Sequence, residues 1–178
     1  MNRALNLLTT IHRWDVLTFR VISSGNTSGR LTNLAKAVSF SGNGYLYPLI
    51  PFLLFSFGFS QILEFVQIAM IGFAAERSIY SITKNSFKRR RPANILPNYQ
   101  SVIQAADEFS FPSGHTSAAF FIVSLLMLFY GPVFMILYLW AGLIAFSRLV
   151  LGVHFPTDLL IGSLMGSSAA YISFRLLF

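Results

Sequence analysis

Two histidines of this chain lie in polar segments that could support nucleophilic chemistry, and the first of these segments is SRLVLGVHFPTD, residues 147–158. Within it, His154 and Asp158 are four residues apart. If a helix begins near His154, both side chains lie on one face, and the carboxylate can accept one imidazole N–H while the other ring nitrogen stays free. A polar pair that solvates a helix start has the same spacing, so this segment alone leaves both interpretations open.

The second segment is FPSGHTS, residues 111–117, which contains His115. Pro112 and Ser113 are typical of a helix start, and Gly114 leaves backbone N–H groups open to an anion. A single histidine at a helix start is more often a capping or interfacial residue. The segment therefore indicates an anion site only if other segments support it.

A third segment, KNSFKRRRP at residues 84–92, carries five basic residues. Directly after an apolar stretch, such a cluster most often binds lipid headgroups or sets membrane topology. Its lysine and arginine side chains could also hold phosphate oxygens, and arginine can do so with two parallel hydrogen bonds. Taken alone, the segment does not decide between these roles.

The composition of the 178-residue chain predicts a membrane protein, because 54% of the residues are hydrophobic and only 11% are charged. The 13 Lys and Arg residues outnumber the 6 Asp and Glu residues, and the net charge of +7 favours anionic partners such as lipid headgroups and phosphates. Nucleic acid is not predicted as a partner, because the 19 Phe residues lie in apolar runs rather than between basic residues. The absence of cysteine excludes disulfides and thiolate chemistry.

Residues 1–42 are predicted to form N-terminal amphipathic helices that lie in the membrane interface. Leu7, Ile11, Trp14 and Val21 fall near one helical face of this region. The run SSGNTSGR that follows is typical of a polar turn, and a second short interfacial or packing helix is expected after it.

Residues 43–178 are predicted to form the transmembrane core of an all-α integral-membrane bundle. A helix that spans a bilayer needs about 20 mostly apolar residues. On this basis we expect about five spans. The first lies within the uncharged region 37–63, with Pro48 and Pro51 in its first turns, and the others are placed at residues 62–83, 116–130, 132–146 and 155–175. Reversals are expected near Gly58 and at Gly131-Pro132, and Gly162 and Gly166 give the fifth span a small-residue face for close packing.

The second predicted span is amphipathic, because it contains Glu64, Glu76 and Arg77. One side of it is therefore expected to face protein or a polar cavity rather than lipid. Glu76 and Arg77 are interpreted as residues that lie near the headgroups and extend towards them.

This order of spans brings the three polar segments to one membrane face. Lys84, Arg91 and Arg148 then supply three cations for a multiply charged oxyanion, while the Ser113 hydroxyl and the Gly114 amide add neutral donors. One histidine has a carboxylate partner and the other has none. This set suits phosphoryl transfer through a covalent histidine intermediate. It suits a metal poorly, because no histidine pair or carboxylate cluster has the spacing of a metal site.

Together, the segments resemble the three-part signature of the type 2 phosphatidic-acid phosphatase superfamily. The positions that match are Lys84, Arg91, Pro92, Pro112, Ser113, Gly114, His115, Ser147, Arg148, His154 and Asp158. The resemblance implies that His154 forms a phosphohistidine, that Asp158 orients it, and that His115 is the general acid and then the general base. The phosphate ligands that it implies, without a metal or other cofactor, are Lys84, Arg91, Ser113, Gly114 and Arg148.

Three further basic residues, Lys88, Arg89 and Arg90, lie between the matching positions. The signature does not fix them, and we interpret them as headgroup or topology charges. On this interpretation, Arg89→Ala has a mild effect on activity.

The resemblance implies a membrane lipid phosphatase that hydrolyses a phosphate or diphosphate headgroup. Candidate substrates, again by resemblance, are phosphatidic acid, phosphatidylglycerol phosphate, undecaprenyl diphosphate and lipid A phosphate. A transferase, in which another lipid intercepts the phosphohistidine, remains open. The alternative from a non-enzymatic class is a basic membrane scaffold protein with a degenerate site, and the complete signature argues against it.

The orientation of the site in the membrane is open to two arguments. Most Lys and Arg residues are expected on the active-site side, which indicates the cytoplasm by the positive-inside rule. Several of them would be phosphate ligands, however, and the resemblance to bacterial enzymes implies a site that faces the periplasm or exterior. The chain is therefore expected in a bacterial cytoplasmic membrane with its active site facing outward.

Overall fold

The computed structural model of the protein describes residues 2–24 and 29–178, and every regular element within these ranges is helical. The α-helices are α1 (Asn2–Ser24), α2 (Gly29–Ser41), α3 (Leu49–Ser56), α4 (Ile62–Phe87), α5 (Pro92–Ile95), α6 (Gly114–Tyr130), α7 (Leu137–Val150) and α8 (Pro156–Leu177). Two 3₁₀ segments, Gly44–Leu46 and Pro132–Ile136, precede α3 and α7. The predicted all-α class is confirmed.

The pair formed by α6 and α8 is the centre of the bundle, and glycines on α8 permit its close packing. A Cβ atom on Gly166 would lie 2.0 Å from the carbonyl oxygen of Ser117, and one on Gly162 would lie 2.8 Å from that of Ser113. No other residue type fits at such distances without moving the backbone. The structure confirms the small-residue packing face that was predicted for this helix.

The apolar core lies between α4, α6, α7 and α8. Phe65, Phe121, Ile144 and Ala170, one from each of these helices, are buried in a single cluster. Burying a phenylalanine side chain of this kind contributes about 1.5–3 kcal/mol. This packing fixes the ends of the four helices relative to one another, and the polar segments occupy one of those ends.

Two glycines form the reversals between helices. Gly58 has φ of 75° and Gly131 has φ of 90°, in the left-handed region that glycine adopts without a Cβ clash. The chain turns at Gly131, because α6 ends one residue before it and Pro132 begins the next helical segment. Both predicted reversals are confirmed.

The first span, predicted within residues 37–63 with Pro48 and Pro51 in its first turns, begins where these prolines indicate but is shorter than the roughly 20 residues expected of a span. The helix α2 extends into this region, a 3₁₀ turn follows, and α3 covers only Leu49–Ser56. Gly42 and Pro48 account for the break, because glycine disfavours helix and proline lacks the backbone N–H that a continuing helix needs. The interruption leaves Asn43 outside any helix.

The N-terminal helices pack against the same end of the bundle as the polar segments. On α1, Phe19 is fully buried and its ring lies edge-on to Phe155, with the centroids 5.5 Å apart. Asp15, one turn earlier, is also buried. On α2, Ala35 packs against Leu151 beside the C-terminus of α7. The helices α1 and α2 are therefore in direct contact with the elements that carry the polar segments.

The apolar stripe predicted on α1 points away from the bundle. Ile11, Trp14 and Val21 are 38%, 67% and 75% exposed, whereas the packed face is the one that carries Asp15 and Phe19. The stripe also included the Leu7 side chain, which lies outside the described part of the structure, as do residues 25–28 of the predicted polar turn. The exposed stripe is compatible with the interfacial location, which remains a prediction.

Two helical segments, Pro132–Val150 and Pro156–Leu177, are long and apolar enough to cross a bilayer by length and composition, with mean hydropathies of 2.0 and 1.3. The segments Gly44–Ser56 and Gly114–Tyr130 are apolar but shorter. With 26 residues, α4 is the longest helix in the described ranges, but it carries charged side chains along its length.

Candidate active site

The three polar segments meet at one end of the helix bundle. The backbone N–H of Ser113 donates to the carbonyl oxygen of Asp158 over 3.0 Å, and Nη1 of Arg91 donates to the carbonyl oxygen of Val153 over 2.6 Å. These bonds tie the beginning of α6, and the segment that precedes α5, to the region between α7 and α8. The arrangement of spans inferred from the sequence thus brings the segments together.

A cavity of about 580 Å³ opens between these segments. The predicted site residues that line it are Arg91, Gly114, His115, Arg148 and His154. The other three predicted site residues do not line the cavity but adjoin residues that do. Lys84 contacts Asp107, Asp158 faces His154, and Ser113 directly precedes Gly114. Within residues 2–24 and 29–178, no group of three or more His, Asp or Glu side chains is arranged to hold a metal ion.

His154 lies in the loop between α7 and α8 and is only 3% exposed. Its Nδ1 atom is 3.6 Å from Oδ2 of Asp158, longer than a hydrogen bond, and has no hydrogen-bond partner among the residues that the structure describes. Oδ2 accepts the backbone N–H of Phe155 over 2.8 Å instead. The carboxylate faces the imidazole, and a movement of less than about 1 Å would form the hydrogen bond between them.

The environment of His154 keeps its ring neutral. Burial lowers the pKa of His154 to about 4, with Asp158 raising it and the positive charges of Arg148 and Arg91 lowering it. A neutral imidazole has a ring nitrogen with a free lone pair, which is the form that can attack phosphorus. No prior deprotonation is needed near neutral pH.

His115, the second residue of α6, is oriented by a residue that the sequence did not indicate. Its Nε2 atom lies 2.8 Å from Oδ1 of Asn43. Because an amide oxygen only accepts hydrogen bonds, Nε2 donates in this contact and the other ring nitrogen is left to exchange a proton. Asn43 lies between α2 and α3, so the connection between these two helices supplies a partner for His115.

Lys84 and Arg91, the two predicted phosphate ligands from the third polar segment, share one carboxylate, that of Asp107. Nζ of Lys84 donates to Oδ2 of Asp107 over 2.6 Å and also to the hydroxyl of Tyr80. Nε of Arg91 donates to the carbonyl oxygen of Asp107 over 3.0 Å, and its Nη2 donates to Oδ1. A phosphate that bound Lys84 and Arg91 would compete with this carboxylate.

Asp107 is ionised throughout the usual pH range. Its partial burial raises its pKa, but hydrogen bonds from Lys84 and Tyr80, together with the charges of Lys84 and Arg91, outweigh burial and lower the pKa of Asp107 to about 2. The carboxylate therefore offsets part of the positive charge that the sequence assigned to phosphate binding.

Arg148 is 5% exposed and is held from α2. Its Nη1 donates to Oγ of Ser39 over 2.6 Å, while its Nε is buried without a hydrogen-bond partner within the described ranges. A buried donor without a partner costs about 1–3 kcal/mol, and such groups often mark binding sites. Arg148 and His154 both line the cavity, and each has one such atom.

The beginning of α6 supplies neutral donors. Ser113 is fully buried, and its Oγ accepts a hydrogen bond from Thr116 over 3.0 Å, which leaves its own hydroxyl proton for another acceptor. Gly114 starts the helix, and a Cβ atom there would lie 3.1 Å from the Tyr80 ring. The backbone N–H groups of this first turn have no partners within the helix and favour an anion.

The interpretation of Glu76 and Arg77 as headgroup-facing residues is wrong. Glu76 is completely buried, and its carboxylate accepts hydrogen bonds from Arg77 and from the hydroxyl of Ser117 on α6. Arg77 also donates to the carbonyl oxygen of Gly114 over 3.4 Å, and it lines the cavity. The expectation that one side of this helix faces protein or a polar cavity rather than lipid is confirmed.

The interpretation of Arg89 as a headgroup charge is also wrong, although Lys88 and Arg90 are exposed as expected. Arg89 is 20% exposed, and its guanidinium contacts the carboxylates of both Asp15 and Asp158. No periodicity or spacing in the segment separates Arg89 from its neighbours. The path of the backbone after α4 turns Arg89 inward and leaves Arg90 exposed.

Several residues that sequence reasoning did not select contact the site. They are Asp15, Ser39, Asn43, Tyr80, Arg89 and Asp107. Asp15 had one available signal, because it is a lone carboxylate in a helix that was predicted to lie on a membrane. The others are polar residues of types that are also common on protein surfaces, so nothing in the sequence distinguishes them as site residues.

The fold is that of transmembrane phosphatases. LpxE of Aquifex aeolicus superposes with a TM-score of 0.74 at 30% sequence identity, covering 89% of this chain and 93% of that one. A transmembrane PAP2-type phosphatidylglycerolphosphate phosphatase of Bacillus subtilis also gives a TM-score of 0.74, over 94% of this chain and 86% of that one, and at 23% identity it supports the fold alone. The protein is therefore an all-α integral membrane protein.

The chain belongs to the PAP2 superfamily, whose sequence model matches residues 52–178. The match covers all the positions on which the resemblance rested, from Lys84 to Asp158. This membership confirms the resemblance inferred from the three polar segments. It does not test the individual roles of the residues, which remain predictions.

Curated relatives are similar over part of their length. The chain is 31% identical over 109 residues to the bacitracin transport permease protein BcrC of Bacillus licheniformis, covering 61% of this chain and 54% of that protein. It is 28% identical to the probable lipid phosphate phosphatase beta of Arabidopsis thaliana, covering 64% and 66%, and 26% identical to the undecaprenyl-diphosphatase of Sulfolobus acidocaldarius, covering 92% and 78%. The chain thus spans about half to two thirds of the first two relatives.

Proposed function

We propose that the protein is a membrane lipid phosphatase that acts through a phosphohistidine formed on His154, without a metal. One observation carries the proposal: His154, His115, Arg91 and Arg148 come from three segments far apart in sequence and line a single cavity. This set combines a neutral nucleophile, a separate proton donor and cations for the phosphate oxygens.

In the first step, Nε2 of His154 attacks phosphorus while the bond between phosphorus and the oxygen of the leaving lipid breaks. His115 enters this step as the imidazolium, a form that the negative charge of the bound phosphate favours, with Nε2–H on Asn43. Its Nδ1 gives a proton to the leaving oxygen, so that the lipid departs as an alcohol, or as a phosphate when the substrate is a diphosphate. The phosphorylated imidazole keeps the proton on Nδ1 and becomes positive. Asp158, which faces Nδ1 from 3.6 Å, stabilises this charge.

In the second step, His115 accepts a proton from a water molecule as its oxygen attacks phosphorus. The P–N bond breaks, its electron pair returns to His154, and inorganic phosphate leaves. Arg91 and Arg148 hold the phosphoryl oxygens in both steps, with Ser113, Gly114 and Lys84 as additional donors. The negative charge that develops on these oxygens is then balanced inside a largely buried site.

An apolar groove next to the cavity supports a lipid substrate. It has a volume of about 580 Å³, lies along α3 and α4, and shares Gly44 and Phe73 with the catalytic cavity. Its other lining residues include Tyr47, Val66 and Met70. A hydrocarbon chain in this groove would leave the headgroup beside the histidines. The names of two relatives refer to a lipid phosphate and to undecaprenyl diphosphate, and such molecules combine an apolar chain with a phosphorylated headgroup.

We further propose that residues 1–42 form an interfacial unit on a catalytic core of residues 43–178. The core would lie in a bacterial cytoplasmic membrane with its cavity on the periplasmic or outer side. A topology reporter fused to the C-terminus tests the orientation, because α8 runs from the cavity to the opposite face. A reporter signal from the outer side would contradict it.

A panel of lipid phosphates and diphosphates, incubated with purified protein in detergent, tests the proposed activity. We expect release of inorganic phosphate from at least one substrate and recovery of the dephosphorylated lipid. Transfer of phosphate to a second lipid, detected by product analysis, would instead establish a phosphotransferase. Failure to cleave any member of the panel, with correctly folded protein, would contradict the proposal.

A further inference from the structure

Arg89 forms a network of contacts that the proposed chemistry does not use. Its Nη1 donates to Oδ1 of Asp158 and to Oγ1 of Thr157, both over 2.7 Å, and its Nη2 donates to Oδ2 of Asp15 over 2.5 Å. The guanidinium also lies 4.5 Å from the ring centroid of Phe155. One side chain thus connects the segment after α4 with α1 and with the first turn of α8.

Asp15 fixes this arginine from the opposite side. It is 2% exposed, its Oδ1 accepts the backbone N–H of Thr157 over 3.0 Å, and its Oδ2 accepts the Thr157 hydroxyl as well as Arg89. A buried carboxylate is costly unless it is paired and hydrogen-bonded, and here both conditions hold. The carboxylate from α1 therefore fixes both Arg89 and the N-terminus of α8.

The contact with Arg89 decides how Asp158 is placed. Asp158 is completely buried, and before the attack its imidazole neighbour is neutral, so Arg89 is the cation that contacts its negative charge. Arg89 holds Oδ1, and the backbone N–H of Phe155 holds Oδ2 on the side of His154. Two fixed donors thus set the orientation of the carboxylate towards Nδ1 of His154.

We propose that Arg89, itself held by Asp15, is a positioning residue that orients Asp158 towards His154, and that α1 is thereby part of the catalytic apparatus. The inference rests on the proposed function, because it assigns the network a task in forming the phosphohistidine. It replaces the mild effect that the sequence predicted for substitution of Arg89. Arg90, the next residue, is exposed and serves as a matched control.

The first experiment compares Arg89→Gln with Arg90→Gln in single-turnover measurements of phosphoenzyme formation. Loss of a supporting contact behind a reactive group is expected to slow this step in Arg89→Gln by about 10- to 100-fold. KM and inhibition by vanadate should change by less than about twofold, because Arg89 does not line the cavity. Arg90→Gln should match the wild type, Arg89→Lys should recover part of the rate, and Asp15→Asn should slow the step as well.

A double-mutant cycle separates positioning from a general structural role. If Arg89 acts through Asp158, adding Arg89→Gln to Asp158→Asn should change the residual rate by less than about twofold, because the target carboxylate is already absent. A residue that supports only the fold would lower the rate by the same factor in both backgrounds. That equal factor would overturn the inference.

Thermal unfolding in detergent shows whether each variant is folded. If Arg89→Gln does not fold, Arg89→Lys and Asp15→Asn decide the question, and failure of all three to fold would assign the network to stability alone. Wild-type turnover in Arg89→Gln would reject this inference while the proposed function stands. Absence of phosphate release from both the wild type and Arg90→Gln would reject the proposed function itself.

Discussion

Asp107 and Arg91 are joined by two hydrogen bonds, one to the backbone carbonyl of Asp107 over 3.0 Å and one to its carboxylate. The same carboxylate accepts a hydrogen bond from Lys84 over 2.6 Å. Two of the cations proposed to bind phosphate are therefore already neutralised in part by the protein. Phosphate binding must displace or share this carboxylate.

Removing the charge of Asp107 is therefore expected to strengthen anion binding. We expect Asp107→Asn to lower the inhibition constant of vanadate by about fivefold, which corresponds to about 1 kcal/mol at a partly exposed site. Glu108→Gln changes a neighbouring exposed carboxylate and should have little effect. Weaker vanadate inhibition in Asp107→Asn would show that the carboxylate organises the cations rather than competing for them.

The protonation state of His154 can be measured directly by NMR. The chain has three histidines, so the spectrum of protein with isotope-labelled histidine is simple, and His154→Gln assigns the signal. Because burial lowers the pKa of His154 to about 4, the ring should stay neutral as the pH falls from neutrality and gain its proton only near that value. A midpoint at or above about 6.5, the usual value for histidine, would contradict a neutral nucleophile.

Catalysis is expected to be independent of added metal. The proposed site neutralises the phosphate with arginine, lysine and backbone donors, so phosphate release should continue in the presence of EDTA and should be inhibited by vanadate. The assay compares rates before and after dialysis against the chelator. A strict requirement for an added divalent cation would contradict the mechanism.

The packing of α6 on α8 gives a prediction about stability. A Cβ atom on Gly166 would lie 2.0 Å from the carbonyl oxygen of Ser117, so Gly166→Ala must separate the two helices. We expect a loss of about 1–3 kcal/mol in unfolding free energy, measured as a lower Tm in detergent. Gly142→Ala, in α7 with no atom within 4 Å of its added Cβ, should be neutral or stabilising. Equal Tm values for the two variants would contradict the close packing.

Much of the site could be predicted because its reactive residues lie in short segments whose residue types and spacing can be recognised without knowing the fold. The spacing of His154 and Asp158, and the glycine and serine before His115, are compatible with catalysis, and together with the basic segment they match a three-part family signature. The apolar runs then indicate the number and order of the membrane spans, and this order predicts that the three segments lie at one end of the bundle. What the sequence supplied was therefore the reactive groups and their approximate convergence.

The supporting residues could not be predicted in the same way. Asp15, Asn43 and Asp107 reach the site through the exact path of α1, the break after α2 and the loop before α6. No periodic pattern fixes these paths, because each depends on tertiary packing. Arg89 could not be distinguished from Arg90 for the same reason, since which of two adjacent arginines faces inward depends on the backbone direction after α4.

Trapping the phosphoenzyme tests the central claim most directly. Protein incubated briefly with a ³²P-labelled substrate and quenched in alkali, where phosphohistidine is stable, should retain the label on a peptide that contains His154. His154→Gln should retain none, whereas His115→Gln, given a substrate with a good leaving group, should accumulate label because the water attack is slowed. Label on any other residue, or label retained by His154→Gln, would contradict the assignment of His154 as the nucleophile.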